Sequence, residues 1–512
     1  MRRHSRLTSR PTRTGYHSTG GYLTVSTPPD PTLLSRAFPQ AGKQIGYPNV
    51  DLNGPVQAGF AIPQGTIRRG ARCSTSKAFL QPARERPNLH VVTFAYATKI
   101  LINSNLRAVG VQFERFSLSH AVYARREVLV SAGSVNSPQL LMLSGIGPAE
   151  HLRQMGIPVV ADLPVGKNLQ DHIYPAVPFT VNRKVSLVQR RVVTLPNVIS
   201  YMSLGRGPLT ALGGVEGLGF IKTKFANHTD DWPDFQIHML TGSLTSDDGQ
   251  TFRRVQGVSR QLYEQVYEPY LAWDTFSMYP VMLRPKSRGY IRLRSSNPHD
   301  PPVINPRYLT HPDDIHAMVD AMKISIAVGL APAYRHEFDS QLFGTVFPGC
   351  EIYKLYSEPY LACAARVYTS TIYHPVGTCR MGRPDDPRTV VDPQLRVKGI
   401  KGLRVIDASV MPYIISGKWQ PQLKANGSGV EEWWQLSFVW PTEPPSVVRD
   451  ARYQAARSGR VADFALAGQL GRVKSRFRVA ANPDHDRLER VHVVCRFYCC
   501  DNEHSADSTA RN

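Results

Sequence analysis

Residues 127–147, EVLVSAGSVNSPQLLMLSGIG, constrain the fold of this 512-residue chain more than any other segment. The apolar run EVLV predicts a strand that ends in the small residues Ser-Ala-Gly at 131–133. Asn-Ser-Pro at 136–138 predicts an N-cap with proline at the first helical position, followed by a Leu/Met-rich helix. A strand that passes through small residues into a helix lets a ligand lie against bare backbone. A tightly packed turn without a ligand is the alternative, and the residues alone favour it.

Strand-like segments surround this turn. LHVVTFAYATKILI, VGVQFERF and HAVYARREVLV are dense in β-branched and aromatic residues and predict a small sheet. From about 180 to 345, strand-like pieces alternate with helical ones such as DDIHAMVDAMKISIAVGL, which predicts an α+β domain whose antiparallel sheet forms a substrate-facing wall. LRVID predicts a further strand. Residues 1–45 predict a loop, and 418–512 show no sustained period, which predicts a tail that is poorly folded or foreign to the preceding domain.

The charge and the cysteine content of the chain limit the partners and metals that it is expected to bind. The formal net charge is +21, but the basic residues are mostly scattered, with denser groups near both termini, so nucleic acid is a minor hypothesis. No run of 18 apolar residues occurs, so we expect no membrane-spanning helix. Seven cysteines without paired C-x-x-C spacing predict no zinc or other metal site and leave the redox compartment open.

The first residues lack the apolar region of a secretory signal. The interpretation is that the protein is cytosolic or that its true start is missing, and the localisation stays open.

A single histidine, His374, lies between a β-rich run and a Pro-Gly turn in TSTIYHPVGTCRMG. A lone histidine is more often a structural hydrogen-bonding group than a catalyst. Imidazole is nevertheless the side chain that exchanges protons most readily near neutral pH. The residue by itself therefore favours the structural role, and its sequence context decides whether the catalytic one applies.

Seven segments, in order along residues 15–417, together resemble the glucose–methanol–choline (GMC) oxidoreductases, and among these the insect-type FAD glucose dehydrogenases that pass electrons to quinones or dyes. They are YHSTGGYLTV, GTIRRGARCSTSKAFL, GSVNSPQLLMLSGIGP, LPVGKNLQDH, RPKSRGYIRLRS, TIYHPVGTCRMG and IKGLRVIDASVMP. The resemblance implies an α/β FAD-binding domain with an inserted α+β substrate domain built on an antiparallel sheet. It also implies oxidation of an alcohol or sugar with an acceptor such as a quinone.

The resemblance assigns FAD contacts to particular positions. Ala97 would contact the adenine end, the turn Ser131, Ala132 and Gly133 would lie near the ADP part, and Asp407 with Ala408 would approach the pyrophosphate and ribityl chain. Small residues suit these roles because a longer side chain would hold the cofactor away from the backbone. Asp407 has a second interpretation as a helix N-cap or turn residue, and both roles are compatible.

The resemblance also gives His374 a catalytic role. In the family the corresponding histidine lies at the flavin ring and acts on the substrate hydroxyl; removing that proton lets the α-hydrogen leave as hydride, while the hydride chemistry belongs to the cofactor. Cys379, five residues further on, is interpreted as a packing residue because nothing near it in sequence would lower the pKa of its thiol.

Two departures from the family pattern shape the remaining expectations. No G-x-G-x-x-G turn occurs, so the N-terminal ADP-binding βαβ unit is expected to be absent. After Ser416-Gly417 the family's Asn-x-Asn-Ala-Pro segment is replaced by unrelated residues, so the second catalytic residue is unassigned. A truncated or mis-spliced gene is the favoured explanation, and a diverged paralogue with a new tail is the alternative.

The expected domains are a partial FAD-binding domain (1–178), a substrate-binding domain (179–345), a return to the FAD domain (346–417) and a non-family tail (418–512). We expect the chain as written to bind FAD poorly and to lack activity. The alternative function is a non-catalytic binding protein derived from the same scaffold.

Overall fold

A computed structural model describes residues 5–6, 16–17, 19–229, 232–416 and 487–493 of the chain. Its strands are β1 (Ser5–Arg6), β2 (Leu23–Thr24), β3 (Gly59–Ala61), β4 (Ile67–Arg68), β5 (Ala71–Arg72), β6 (Ala95–Ile102), β7 (Ala108–Arg115), β8 (Leu118–Val130), β9 (Ile146–Gly147), β10 (Ala161–Asp162), β11 (Lys167–Leu169), β12 (Ile173–Tyr174), β13 (Val177–Val181), β14 (Val215–Ile221), β15 (Phe235–Leu240), β16 (Asp274–Met282), β17 (Gly289–Arg292), β18 (Val303–Asn305), β19 (Gln341–Leu342), β20 (Ser370–Thr371), β21 (Leu403–Val405) and β22 (Arg487–Val493).

Its α-helices are α1 (Leu33–Gln44), α2 (Gln81–Ala83), α3 (Gly133–Leu143), α4 (Ala149–Gln154), α5 (Gln189–Val192), α6 (Leu195–Leu204), α7 (Thr251–Val255), α8 (Arg260–Val266), α9 (Pro312–Gly329), α10 (Pro332–Phe338) and α11 (Glu358–Val367). Short π and 3₁₀ turns cover Ser76–Leu80, Pro208–Thr210, Glu268–Tyr270 and Ala408–Val410. Within the described ranges, no single helix is long and apolar enough to cross a membrane. Helices α9 and α10 meet the length and composition requirement only when they are taken together, and they are bent by 45° relative to each other.

The first sheet is the predicted small sheet. β6, β7 and β8 form an antiparallel meander, and the last three residues of β8 also pair in parallel with β21. These last residues, Val128 to Val130, are buried, whereas most of the preceding part of β8 is exposed. The strands predicted from β-branched and aromatic residues are therefore confirmed, including LRVID as β21.

The sheet has one member that the sequence did not predict. β22 lies inside the tail 418–512 and pairs in parallel with β8. Val491 and Val493 are buried, and the Ser131 N–H donates to the Val493 carbonyl at 2.7 Å. Residues 487–493 thus form an ordered strand inside the tail that was expected to be poorly folded or foreign, because alternating valines in this short segment fit a sheet edge. The rest of the tail lies outside the described residues.

The second sheet has eight strands and is antiparallel. Its main path runs β19-β13-β16-β15-β14-β3; in addition, β12 pairs with β16, and β20 pairs with β12. The predicted helix α9 packs against β16 and β13, and all of β16 is buried. The α+β arrangement with an antiparallel sheet, expected for the middle of the chain, is confirmed.

Two predictions about helices are wrong, and in both cases a proline lies inside the helix. The expected loop at 1–45 contains α1, in which Thr32 Oγ1 accepts the Ser35 N–H as an N-cap. Apolar residues of α1 are buried at helical spacing in spite of an internal proline, namely Leu34, Ala37, Phe38 and Ala41.

The second failure is the start of α3, which begins at Gly133, five residues before Pro138. Proline inside a helix removes the N–H that would bond to the carbonyl four residues earlier. Here that carbonyl belongs to Ser134, and the hydroxyl of Thr378 donates to it at 2.7 Å. A residue distant in sequence thus supplies the missing donor.

A disulfide joins Cys350 to Cys363, a pairing that the cysteine count did not reveal. It ties the loop before α11 to the helix itself, beside the largest hydrophobic cluster. Disulfides persist in oxidising compartments.

Candidate active site

His374 lies where two antiparallel segments of the eight-stranded sheet lose their regular register. Ile173 pairs with Thr371 on one side of the site, and Gln170 pairs with Val376 on the other. Two residues lie between Gln170 and Ile173, whereas four lie between Thr371 and Val376. The extra residues form a bulge in which Tyr373 has a φ of 61°, a left-handed conformation that non-glycine residues rarely adopt. Bulges of this kind re-aim side chains, and this one presents His374.

The carboxylate of Asp171 fills the gap in the ladder that the bulge creates. Its Oδ1 accepts the N–H of His374 at 3.0 Å and the N–H of His172 at 2.9 Å. Its Oδ2 accepts the hydroxyl of Tyr308 at 2.6 Å and that of Thr371 at 2.5 Å. Burial raises the pKa of Asp171 from 3.8 to about 6, although these four hydrogen bonds act in the opposite direction.

The two histidines held by Asp171 contact each other edge to face. Their Nδ1 atoms are 3.0 Å apart and their ring centroids 5.2 Å apart. Burial, followed by the neighbouring His374, lowers the pKa of His172 well below its ordinary value, so His172 is neutral near pH 7. One Nδ1 must therefore carry a proton and the other must accept it.

The contact uses the Nδ1 atoms of both rings. Among the described residues, the buried Nε2 of His172 has no hydrogen-bond partner. A proton exchanged with a substrate would therefore involve Nε2 of His374.

The turn at 131–133 and the segment of Asp407 and Ala408, both predicted to contact FAD, come together beside His374. Ser134, next to Gly133, donates its hydroxyl to the carbonyl of Pro375 at 2.6 Å. The N–H of Gly377 donates to the carbonyl of Ala408 at 3.2 Å. Ala97 lies on β6 opposite Phe113, outside this hydrogen-bonded cluster, and its contact with the adenine end stays a prediction.

The carboxylate of Asp407 serves the protein's own backbone. It accepts the N–H of Gly133 at 2.9 Å, the N–H of Ser409 at 2.8 Å and the hydroxyl of Ser137 at 2.5 Å. Asp407 is 2% exposed, so the interpretation as a cap of the following turn describes its side chain. Ser131 likewise uses its hydroxyl within the protein, donating to the Ile406 carbonyl, and the Ala132 N–H donates to Ser137 Oγ.

Gly133 provides the test of whether a cofactor fits. Its φ is +82°, and a Cβ built on it would meet no atom within 4 Å, so the backbone there borders open space. The residues present thus leave room beside the Gly133 backbone for the part of FAD that the resemblance places there, one residue from the Ser134–Pro375 contact. For the pyrophosphate the sequence offers no G-x-G-x-x-G turn.

Other reactive groups in the described part of the chain add no second centre. Cys379 is fully buried, and burial raises the pKa of its thiol, in agreement with a packing role. Groups of three or more His, Cys, Asp or Glu side chains placed to hold a metal ion do not occur among the described residues.

Sequence reasoning missed Asp171 and His172. Both belong to LPVGKNLQDH, which contributed to the family resemblance but received no role. The available signal was a Gln-Asp-His run between buried Leu169 and Ile173, since buried polar side chains need partners. Their side-chain partners lie 137 to 202 residues further along the chain, which no local pattern reveals.

The chain is similar to known proteins over most of its length. Two family models described as GMC oxidoreductase match residues 7–174 and 285–427. The glucose dehydrogenase [FAD, quinone] of Drosophila melanogaster is 36% identical over 409 residues, which cover 79% of this chain and 62% of that protein. The alcohol dehydrogenase [acceptor] of Pseudomonas putida is 38% identical over 416 residues, covering 79% of this chain and 69% of the relative.

Solved structures show the same fold at lower identity. Formate oxidase from Aspergillus oryzae superposes with a TM-score of 0.69 at 24% identity, covering 85% of this chain and 75% of that one. An FAD-dependent oxidoreductase from Chaetomium thermophilum gives a TM-score of 0.64 at 21% identity, covering 85% and 77%. The chain thus has the fold of these solved structures.

The chain belongs to the GMC oxidoreductase family, as its motifs predicted. It spans 62% of the length of the Drosophila glucose dehydrogenase that it matches.

Proposed function

We propose that this chain carries the site of an FAD-dependent oxidoreductase that oxidises the CH–OH group of an alcohol or sugar, with His374 as the general base. The observation that carries the proposal is the contact between the Nδ1 atoms of His374 and His172, next to the open backbone at Gly133. A relative named for glucose and another named for alcohol support this substrate class. The name of the first also supports a quinone as electron acceptor.

The protein's part in the reaction is proton transfer and orientation. Bound FAD would supply the acceptor for the hydride that leaves the substrate carbon. His374 takes the hydroxyl proton at Nε2, because its Nδ1 is engaged by His172. His172 stays neutral, so it adds no positive charge that would oppose protonation of His374. Gly133, Ala132 and Ala408 would hold the cofactor through backbone contacts.

We also propose that the chain as given binds FAD weakly, because nothing in its sequence resembles the glycine turn that holds the pyrophosphate. We also propose that the domain boundaries lie at residues 178, 345 and 417. If the chain does not bind FAD at all, the alternative function, a non-catalytic binding protein on this scaffold, is supported.

The test separates cofactor binding from chemistry. The purified chain is titrated with FAD, followed by flavin fluorescence, and the saturated protein is then mixed anaerobically with alcohols or glucose while flavin absorbance is recorded. Substrate should bleach the oxidised flavin. The variant His374→Asn should bleach it about 10²–10⁴-fold more slowly, the usual contribution of a general base.

The matched control is His336→Asn, which alters an exposed histidine on α10. It should leave the bleaching rate unchanged. Equal rates for His374→Asn and the unsubstituted chain would refute the role of His374. Failure to bind FAD at any concentration would support the non-catalytic alternative.

A further inference from the structure

Asp171 is a buried carboxylate with an unusual set of partners. It is 7% exposed, and the hydrogen bonds that lower its pKa all come from neutral donors, two hydroxyls and two backbone amides. A carboxylate in this setting is costly to bury, because desolvation disfavours its charge. Four donors on two oxygens offset that cost, and they also fix the carboxylate in one orientation.

The two oxygens of Asp171 have different partners. Oδ2 faces the hydroxyls of Tyr308 and Thr371, which hold the side chain in place. Oδ1 alone accepts the amides of both His172 and His374. One atom therefore connects the backbones of the two residues whose imidazoles meet at Nδ1.

The bulge explains why the connection matters. A regular antiparallel ladder would fix the amide of residue 374 through the opposite strand, but the two extra residues and the left-handed Tyr373 remove that restraint. Without another acceptor, the His374 amide would lose its anchor and the bulge could shift. A displacement of 1 Å in a catalytic group can cost about 100-fold in rate.

We propose that Asp171 is a positioning residue that sets the spacing and orientation of the His172–His374 pair through the backbone amides of both histidines. The proposal rests on the proposed function only for its kinetic consequence. The geometric consequence, an Nδ1–H to Nδ1 hydrogen bond between the imidazoles, is a property of the protein without cofactor.

The experiment uses the full chain with ¹⁵N-labelled histidine, observed by NMR and assigned with His172→Asn and His374→Asn. The unsubstituted chain should show the hydrogen-bonded Nδ1–H signal of the pair. Asp171→Leu removes both oxygens at similar volume, and Asp171→Asn is the milder variant in case the first does not fold. Both should lose or broaden this signal while retaining the circular dichroism of the folded chain.

The matched control is Asp314→Asn, because Asp314 is also a buried carboxylate that accepts two successive backbone amides, those of Lys286 and Ser287. It should be destabilised to a similar degree but keep the imidazole signal. In FAD-saturated protein, Asp171→Asn should slow flavin reduction about 100-fold with little change in FAD affinity.

An absent signal in the unsubstituted chain, or an unchanged signal in folded Asp171 variants, would overturn the proposal. A signal that disappears in the Asp171 variants, in a chain whose flavin reduction does not depend on His374, would instead support the positioning role and refute the proposed function.

Discussion

The hydroxyl of Thr378 should stabilise the fold because it replaces the hydrogen bond that Pro138 cannot make. Thr378 is fully buried, and its Oγ1 donates to the Ser134 carbonyl at 2.7 Å. Thr378→Val keeps the volume and leaves this buried carbonyl without a donor. Leaving a buried acceptor without a hydrogen-bond donor costs about 1–3 kcal/mol, so we expect the free energy of unfolding to fall by about 2 kcal/mol.

The proline provides a way to test the cause. Pro138→Ala restores an N–H four residues after Ser134, and this N–H can reach the same carbonyl. In that background Thr378→Val should cost about 1 kcal/mol less, a coupling within the range of residues that share a partner. The assay is chemical denaturation of the four chains of the double-mutant cycle, followed by far-UV circular dichroism.

A control threonine tests whether the coupling is specific. Thr389 is also buried and donates its hydroxyl to backbone carbonyls, at 2.9 Å to that of Asp386, but it has no contact with the Pro138 turn. Thr389→Val and Pro138→Ala should be additive within about 0.5 kcal/mol. If Thr378→Val and Pro138→Ala are equally additive, the hydroxyl does not substitute for the missing amide and the reasoning is refuted.

Three further predictions follow from the same structure. Asp171 keeps its proton up to about pH 6 in the folded chain and releases it near pH 3.8 in the unfolded chain, so its contribution to stability is present below pH 4 and is lost as the pH rises to about 6. In denaturation curves, the free energy of unfolding should therefore fall by about 3 kcal/mol over this window relative to that of Asp171→Asn. A difference between the two chains that does not change with pH would contradict the pKa shift. Peptide mapping without reduction should recover Cys350 linked to Cys363, and reduction should lower the free energy of unfolding by about 3 kcal/mol, the value for a loop of this size; recovery of both as free thiols would contradict the pairing. Replacing Val491 and Val493 together by alanine should destabilise the sheet by about 3 kcal/mol and speed amide exchange at Ser131, measured by hydrogen exchange, whereas unchanged protection would show that β22 does not cover β8.

Much of the fold could be predicted from local pattern. The strands of the meander, β21 and the helix α9 agree with their sequence signals, because β-branched density and helical spacing are properties of a few neighbouring residues. The failures lie where a distant residue changes the local rule. Pro138 indicated a helix start, yet α3 begins earlier because Thr378 supplies the missing donor.

The candidate site was predicted only in part. The family motifs nominated His374 and the small residues at 131–133, and the structure brings their segments together through Ser134 and Pro375. It does not bring Ala97 into that cluster, and it uses the Asp407 carboxylate as a cap. Asp171 and His172 had no assigned role before the strand pairing was known.

Motifs and periodicity lie in consecutive residues, so the sequence was enough to predict the family, the meander strands, β21, α9 and the histidine to examine, but not α1 or β22. Which side chains that histidine contacts depends on the tertiary structure. Antiparallel pairing across two hundred residues, with a bulge of two extra residues, places His172 and the carboxylate of Asp171 against His374. Register between distant strands depends on the packing of the whole sheet, which no short segment encodes.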